Sequence, residues 1–227
     1  MTTRRRAVSG LVLAPGASAS RDQGALVAID EALAAQSVRV ERIDFPYRLA
    51  GRRVPDRQAV LVASVVAAAC KLAEDMSVPQ ASVALGGRSM GGRMCSIAVA
   101  EGLVAAGLVL VSYPLHPPGK PEKLRVDHLG AIKVPCLFVS GTRDQFATPA
   151  ELEKATVAIA GPVSHVYVEG GDHSLRRRDL EVAAIVARWV LALGSSRRPG
   201  RSPEESRSRG GQRRPASVAT PSPDRSP

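Results

Sequence analysis

Ser89, Asp144 and His173 have the residue types and the settings that acyl transfer requires. Ser89 lies in Gly87-Arg88-Ser89-Met90-Gly91, a G-x-S-x-G pentapeptide between an apolar run (residues 81–85) and a helix-like stretch (residues 94–104). In a strand–turn–helix context this pattern is a nucleophile elbow: a tight turn lifts the hydroxyl to the carboxyl end of a sheet. Side chains at positions 87 and 91 would collide with neighbouring backbone, so glycine is required at both. A serine hydroxyl is a poor nucleophile at neutral pH and needs a base, and the base needs an orienting carboxylate.

Asp144, in Gly141-Thr142-Arg143-Asp144, follows the apolar run 134–140. It reads as that orienting acid or as a turn or helix-cap carboxylate. His173, in Gly170-Gly171-Asp172-His173-Ser174, follows the run 163–168 and reads as the base. Asp172 is the competing acid, but it adjoins His173 and would have to turn back on it. Of the other histidines, His165 falls inside a strand as a packed residue, and His116 and His128 fall in a proline-rich stretch where exposure is expected.

An oxyanion needs backbone N–H donors fixed in advance. Met90, at the start of the helix after the serine, supplies one. The loop Ala14-Pro15-Gly16-Ala17 supplies the other through Ala17, with Gly16 permitting the unusual backbone. Gly16 and Arg88 are candidates for substrate contact. Arg88 reads either as an attractor of acidic substrate or as the partner of a carboxylate at the sheet edge.

The elements that must position these residues alternate along the chain. Six apolar runs (8–13, 38–43, 81–85, 107–111, 134–140 and 163–168) have the continuous character of strands buried on both faces. Helical patterns at 23–35, 56–73, 92–105, 150–158 and 179–193 separate most of them. In the second, Leu61, Val65, Ala68 and Leu72 share a face. In the last, Val182, Ile185, Val186, Trp189 and Leu193 face inward. Alternation of this kind predicts an α/β fold: a doubly wound three-layer sandwich around a six-stranded parallel sheet. Residues 113–133 hold four prolines and no strong period, so the site is expected to have a rudimentary cover and no lid domain.

The bulk composition narrows the function further. Half of the net charge of +10 belongs to residues 195–227, with eight arginines against two Glu and one Asp. That segment cannot offset its ordering entropy by burial and is expected to be disordered. The domains are therefore read as 1–194, folded, and 195–227, tail. Nucleic-acid binding is not expected of the folded part and is assigned to the tail at most. Cys70, Cys95 and Cys136 form no CxxC or ligand-like cluster, so buried thiols in a reducing, cytoplasmic setting are expected, with no metal and no cofactor. No apolar run approaches the ~20 residues that span a bilayer. Arg4-Arg5-Arg6 and the short apolar stretch after it mimic a secretory signal. Cleavage after Ala19 would delete the first strand and the oxyanion loop, so the arginines are read as a solvated leader.

With those residues in place, the chain resembles the α/β-hydrolase superfamily. More narrowly, it resembles a small dienelactone-hydrolase-like branch that includes the hydrolase-like domain of a non-specific-lethal chromatin complex subunit and a testis-expressed relative. The matching segments are residues 11–18 (LVLAPGAS), 44–47 (DFPY), 51–57 (GRRVPDR), 86–93 (GGRSMGGR), 141–152 (GTRDQFATPAEL) and 170–174 (GGDHS). The resemblance implies the strand order 2-1-3-4-5-6, with Ser89 as nucleophile, Asp144 as acid, His173 as base, and Ala17 and Met90 as oxyanion donors. Many relatives carry His-Gly where this chain has Pro15-Gly16. Dienelactone hydrolases use cysteine at the elbow, so their substrate is not carried over. The expected activity is hydrolysis of a small carboxylic ester by a serine hydrolase. The alternative is a non-catalytic protein-interaction domain on the same scaffold.

Overall fold

The computed structural model describes residues 8–117 and 119–193; the leader at residues 4–6 and the expected tail at 195–227 lie outside the described residues. In chain order the elements are β1 (Gly10–Ala14), α1 (Gly24–Ala34), β2 (Arg39–Arg42), α2 (Pro46–Leu49), α3 (Gln58–Asp75), β3 (Val83–Arg88), α4 (Met90–Ala100), β4 (Leu108–Val111), β5 (Cys136–Gly141), α5 (Pro149–Thr156), β6 (Val163–Val168) and α6 (Asp179–Leu193). The six strands form one sheet in the order β2-β1-β3-β4-β5-β6, and every neighbouring pair is parallel. The expected sheet and its order are both found, and no lid is evident among the described residues.

Successive side chains in a strand point to opposite faces, so a strand covered on both sides must be apolar at every position. In β1, Leu11 and Leu13 enter one core while Val12 and Ala14 enter the other. In β5, Leu137 and Val139 share the first core, and Cys136 and Phe138 the second. Helices α1 and α6 close the first face through Ile29, Leu33, Val182 and Val186. Helices α3 and α4 close the second through Leu61, Val65, Met94 and Ile97. Fully burying side chains of this size stabilises by about 1.5–3 kcal/mol each.

The edge strands correct the expectation of burial on both faces. No residue of β2 is buried, and in β6 only Val168 is. An edge strand has a neighbour on one side only, and its flanking helix covers it incompletely, so polar residues are tolerated there.

The proline-rich stretch 113–133 also differs from its reading. Tyr113, Leu115, Leu129 and Ile132 are buried, and a short 3-10 turn spans Leu129–Ala131. His116 is buried rather than exposed, its Nδ1 lying 2.9 Å from the Pro117 carbonyl oxygen. His128 is half-buried, with Nε2 2.8 Å from the Ser96 hydroxyl. Apolar residues spaced irregularly along this loop dock onto the second core and carry both rings inward. Of the three free thiols, Cys95 and Cys136 are buried as expected, but Cys70 is exposed. Burial pushes both buried thiols up to about 12, so neither is a nucleophile near neutral pH. Among the described residues, no helix is long and apolar enough to cross a membrane.

The strand order reverses between β1 and β3. Loops leaving two such strands diverge and open a crevice at their carboxyl ends. The loop after β1 holds Gly16 and Ala17, and the turn after β3 holds Ser89.

Candidate active site

Strand β3 continues through Gly86 and Gly87 to Arg88, and the Ser89 N–H extends the ladder by donating to the Val111 carbonyl at 2.9 Å. Helix α4 begins at once with Met90. Ser89 joins the two at φ +51° and ψ −116°, a region costing of order 1–3 kcal/mol for a residue with a Cβ. It occupies the N-cap position, yet its hydroxyl makes no capping bond. The hydroxyl instead faces the imidazole of His173, with Oγ 2.9 Å from Nε2.

The opposite ring nitrogen, His173 Nδ1, lies 2.9 Å and 3.0 Å from the two Asp144 carboxylate oxygens. The Asp144 side chain is fully buried and also accepts from the Phe146 N–H at 2.8 Å. A buried carboxylate with two such partners is held in one orientation, and it orients the imidazole so that Nε2 faces Ser89. The Phe146 ring covers the imidazole at a centroid distance of 4.1 Å. Asp172, the rival acid, is engaged elsewhere: its Oδ1 accepts from the Ser174 N–H, the Ser174 hydroxyl and the Leu175 N–H. The Ser174 hydroxyl bond is the main reason its carboxyl sits below the usual range.

Two glycine junctions bring these groups together. A Cβ on Gly91 would stand 2.1 Å from the Ala14 carbonyl oxygen, and one on Gly87 2.3 Å from the same atom. The elbow is thereby pressed against the end of β1. A Cβ on Gly141 would stand 2.1 Å from the Gly171 carbonyl oxygen. The Arg143 N–H donates to that same oxygen at 2.8 Å. This second junction locks the aspartate loop to the histidine loop.

The loop after β1 is pinned on three sides. The Gly16 N–H donates to Gln23 Oε1 at 3.1 Å, and the Gly16 carbonyl accepts from the Ala19 N–H at 3.1 Å. The buried Tyr47 hydroxyl donates to the Ala17 carbonyl at 2.6 Å. Among the described residues the Ala17 N–H has no acceptor. Met90 is the first residue of its helix, where N–H groups lack an intrahelical partner.

A cavity of about 790 Å³ opens over these groups, lined by Gly16, Ala17, Arg88, Ser89, Met90 and His173 among others. Arg88 lines it, but its guanidinium also donates to the His173 carbonyl at 2.7 Å. Burial pulls that guanidinium below its ordinary value, and the carboxylates of Asp144, Asp179 and Asp172 oppose the shift. The structure thus brings Gly16, Ala17, Arg88, Ser89, Met90 and His173 to one cavity, with Asp144 buried behind His173 and with Gly87 and Gly91 packed against the end of β1. Sequence reasoning missed Tyr47, Gln23, Phe146 and the Gly141–Gly171 contact. Tyr47, Phe146, Gly141 and Gly171 stand in the segments quoted for the resemblance, whereas Gln23 carried no local signal. Among the described residues, no group of three or more His, Cys, Asp or Glu is placed to hold a metal ion.

A doubly wound parallel sheet with a serine turned out at its switch point defines the α/β hydrolases as a class. The chain belongs to the alpha/beta hydrolase domain family, whose profile matches residues 7–189. Solved structures share the fold. An alpha-beta serine hydrolase homologue from Coxiella burnetii aligns with a TM-score of 0.65 at 17% identity, over 81% of this chain and 86% of that one. A dienelactone hydrolase from Anabaena variabilis gives 0.66 at 20%, over 82% and 87%. Est1E from Butyrivibrio proteoclasticus gives 0.65 at 15%, over 84% and 90%.

Proposed function

We propose that this chain is a serine esterase that hydrolyses carboxylic esters through an acyl-enzyme. The observation that carries the reading is the continuous contact from the Ser89 hydroxyl through the His173 imidazole to the Asp144 carboxylate. In the first half-reaction His173 Nε2 takes the Ser89 proton as Oγ bonds to the ester carbonyl carbon. The carbonyl oxygen becomes an oxyanion, received by the N–H groups of Ala17 and Met90. Collapse breaks the bond to the alcohol oxygen, which leaves with the proton from His173. Water then attacks the acyl carbon, gives a proton to His173, and the acid departs as that proton returns to Ser89. Asp144 orients the ring and stabilises its cationic form throughout.

The motifs quoted above favour the small dienelactone-hydrolase-like branch, and the three free thiols favour the cytoplasm. The test is covalent. A fluorophosphonate probe should label the native chain at Ser89, located by peptide mass, and prior heat denaturation should abolish the labelling. Persistent failure to label folded protein would favour the non-catalytic interaction domain.

The pinned loop gives a further expectation. Tyr47→Phe keeps the ring and removes the bond to the Ala17 carbonyl. We expect kcat for a neutral ester to fall about tenfold with KM nearly unchanged, because a donor displaced by a fraction of an ångström serves the transition state poorly. An unaltered kcat would mean that Gln23 and the Gly16 turn suffice to hold the loop.

A further inference from the structure

The cavity wall beside Ser89 carries an excess of positive charge. Arg88, Arg93 and Arg125 line it, against one carboxylate, Asp56. Arg88 is tied to the His173 carbonyl, and Asp56 is held by Arg52 at 2.7 Å. Arg93 and Arg125 remain.

Arg93 follows Ser89 by four residues, just over one helical turn or about 6 Å further along α4. Side chains on a helix lean toward its amino end, here toward the elbow. One terminal nitrogen of Arg93 donates to Gln58 Oε1 at 3.1 Å, which orients the guanidinium. Its Nε is buried and has no partner among the described residues. Arg125 comes from the β4–β5 connection and its backbone is fixed from both sides. Its N–H donates to the Leu115 carbonyl at 2.8 Å, and its carbonyl accepts from the Tyr113 hydroxyl at 3.1 Å. Among the described residues no carboxylate lies within ion-pair distance of either guanidinium.

Partly dehydrated cations without a counter-ion are unfavourable, and the cost rises when two share a wall. Burial pulls the Arg125 guanidinium below its ordinary value, and repulsion from Arg93 pulls it further. Burial, again helped by Arg93, takes the nearby His128 down to about 4, so this ring is neutral and adds no counter-charge. The planar fork of a guanidinium matches a carboxylate, and unused donors in a fixed frame are a receptor for one.

We propose that Arg93 and Arg125 form a subsite for a carboxylate carried by the ester that Ser89 attacks, so that the substrates are short esters bearing a second, anionic group. This rests on the esterase reading. The charge lies either on the acyl chain or on the leaving alcohol, and paired probes separate the two. Mono-p-nitrophenyl glutarate against p-nitrophenyl valerate tests the acyl side; 4-acetoxybenzoate against phenyl acetate tests the leaving side.

The full chain should favour the charged ester over the neutral one in kcat/KM in one of the two pairs, by about tenfold or more. Arg93→Gln and Arg125→Gln should each lower that ratio about tenfold, and Arg93→Lys by less, since it keeps the charge and loses the fork. Half-molar salt should erode the preference, as the cavity is open to solvent. The ratio is taken within one sample, so partial unfolding of a variant cancels. A wild-type preference for both neutral esters, or a ratio unmoved by both glutamine variants, would overturn the subsite and leave the esterase reading standing. Should no ester turn over, the esterase reading fails by itself. The subsite is then judged by calorimetric titration of glutarate into the native chain: binding lost in Arg93→Gln supports it, and no binding removes it.

Discussion

Ser89→Ala should lower the ester-hydrolysis rate by on the order of 10⁴-fold or more while leaving the fold intact. Alanine retains the Cβ, so the strained backbone at φ +51° and the close approach of α4 to β1 are unchanged. The loss is confined to one hydroxyl and its 2.9 Å contact with His173. Without it no acyl-enzyme forms, and the remaining donors act only on a water attacking directly. The comparison is made with p-nitrophenyl acetate on parent and variant of matched melting temperature. Equal turnover by the two proteins would remove Ser89 from the mechanism and with it the esterase reading.

The second large effect falls on the fold. In Gly91→Ala the new methyl group would meet three backbone atoms: the Ala14 oxygen at 2.1 Å, the Ala14 carbon at 2.5 Å and the Pro15 oxygen at 2.6 Å. None of these can rotate aside as a side chain would. Either α4 lifts from the sheet or the end of β1 moves, and overpacking of this kind costs about 3 kcal/mol or more. For a domain of this size that is a fall of about 10 °C in melting temperature. Activity should fall further than the unfolded fraction explains, because Pro15 leads directly into Gly16 and Ala17. A circular-dichroism melt together with kcat at a temperature where the variant is folded separates the two losses. A melting temperature within 2 °C of the parent's, a margin of about 1 kcal/mol or less, would show that the elbow can slide away from β1.

The sequence was most informative where an element is sharply punctuated, as β6 is by Gly161-Pro162 before it and Gly170-Gly171 after it. The boundaries of β6 and α6 agree with their reading residue for residue, at Val163–Val168 and Asp179–Leu193. Strand β3 was read as ending at Leu85, whereas it runs on to Arg88. Two consecutive glycines give no apolar signal even though they carry a full ladder. Helix α4 was expected over 92–105 and spans Met90–Ala100. Its periodicity continues past the point where the Leu103 N–H returns to the Ala98 carbonyl and closes it. The four-residue α2 is too short to show a period at all. Ala68, expected on the inner face of α3, packs only partly against the core, while Leu61, Val62, Val65, Ala69, Leu72 and Ala73 are buried. Of the inward residues expected in α6, Val182 and Val186 are buried, while Ile185, Trp189 and Leu193 pack only partly.

For the site, the chain order of serine, acid and histidine was legible because each follows a recognisable strand. Contacts across long separations were not. Nothing in the neighbourhood of Gly141 announces that Gly171 will press against it, and nothing near Arg125 reveals that it will share a wall with Arg93.

The glycine junctions divide the molecule into parts with unequal freedom to vary. At Gly87, Gly91 and Gly141 main chain touches main chain, so Ser89, Asp144 and His173 cannot be repositioned by trading one side chain for another. The cavity wall beside Ser89 instead carries long side chains on a helix turn and a connecting loop, Arg93 and Arg125, neither of which belongs to a strand of the sheet. On the proposed esterase reading, selection, natural or in the laboratory, can therefore retune what this scaffold accepts while Ser89, Asp144 and His173 keep their places.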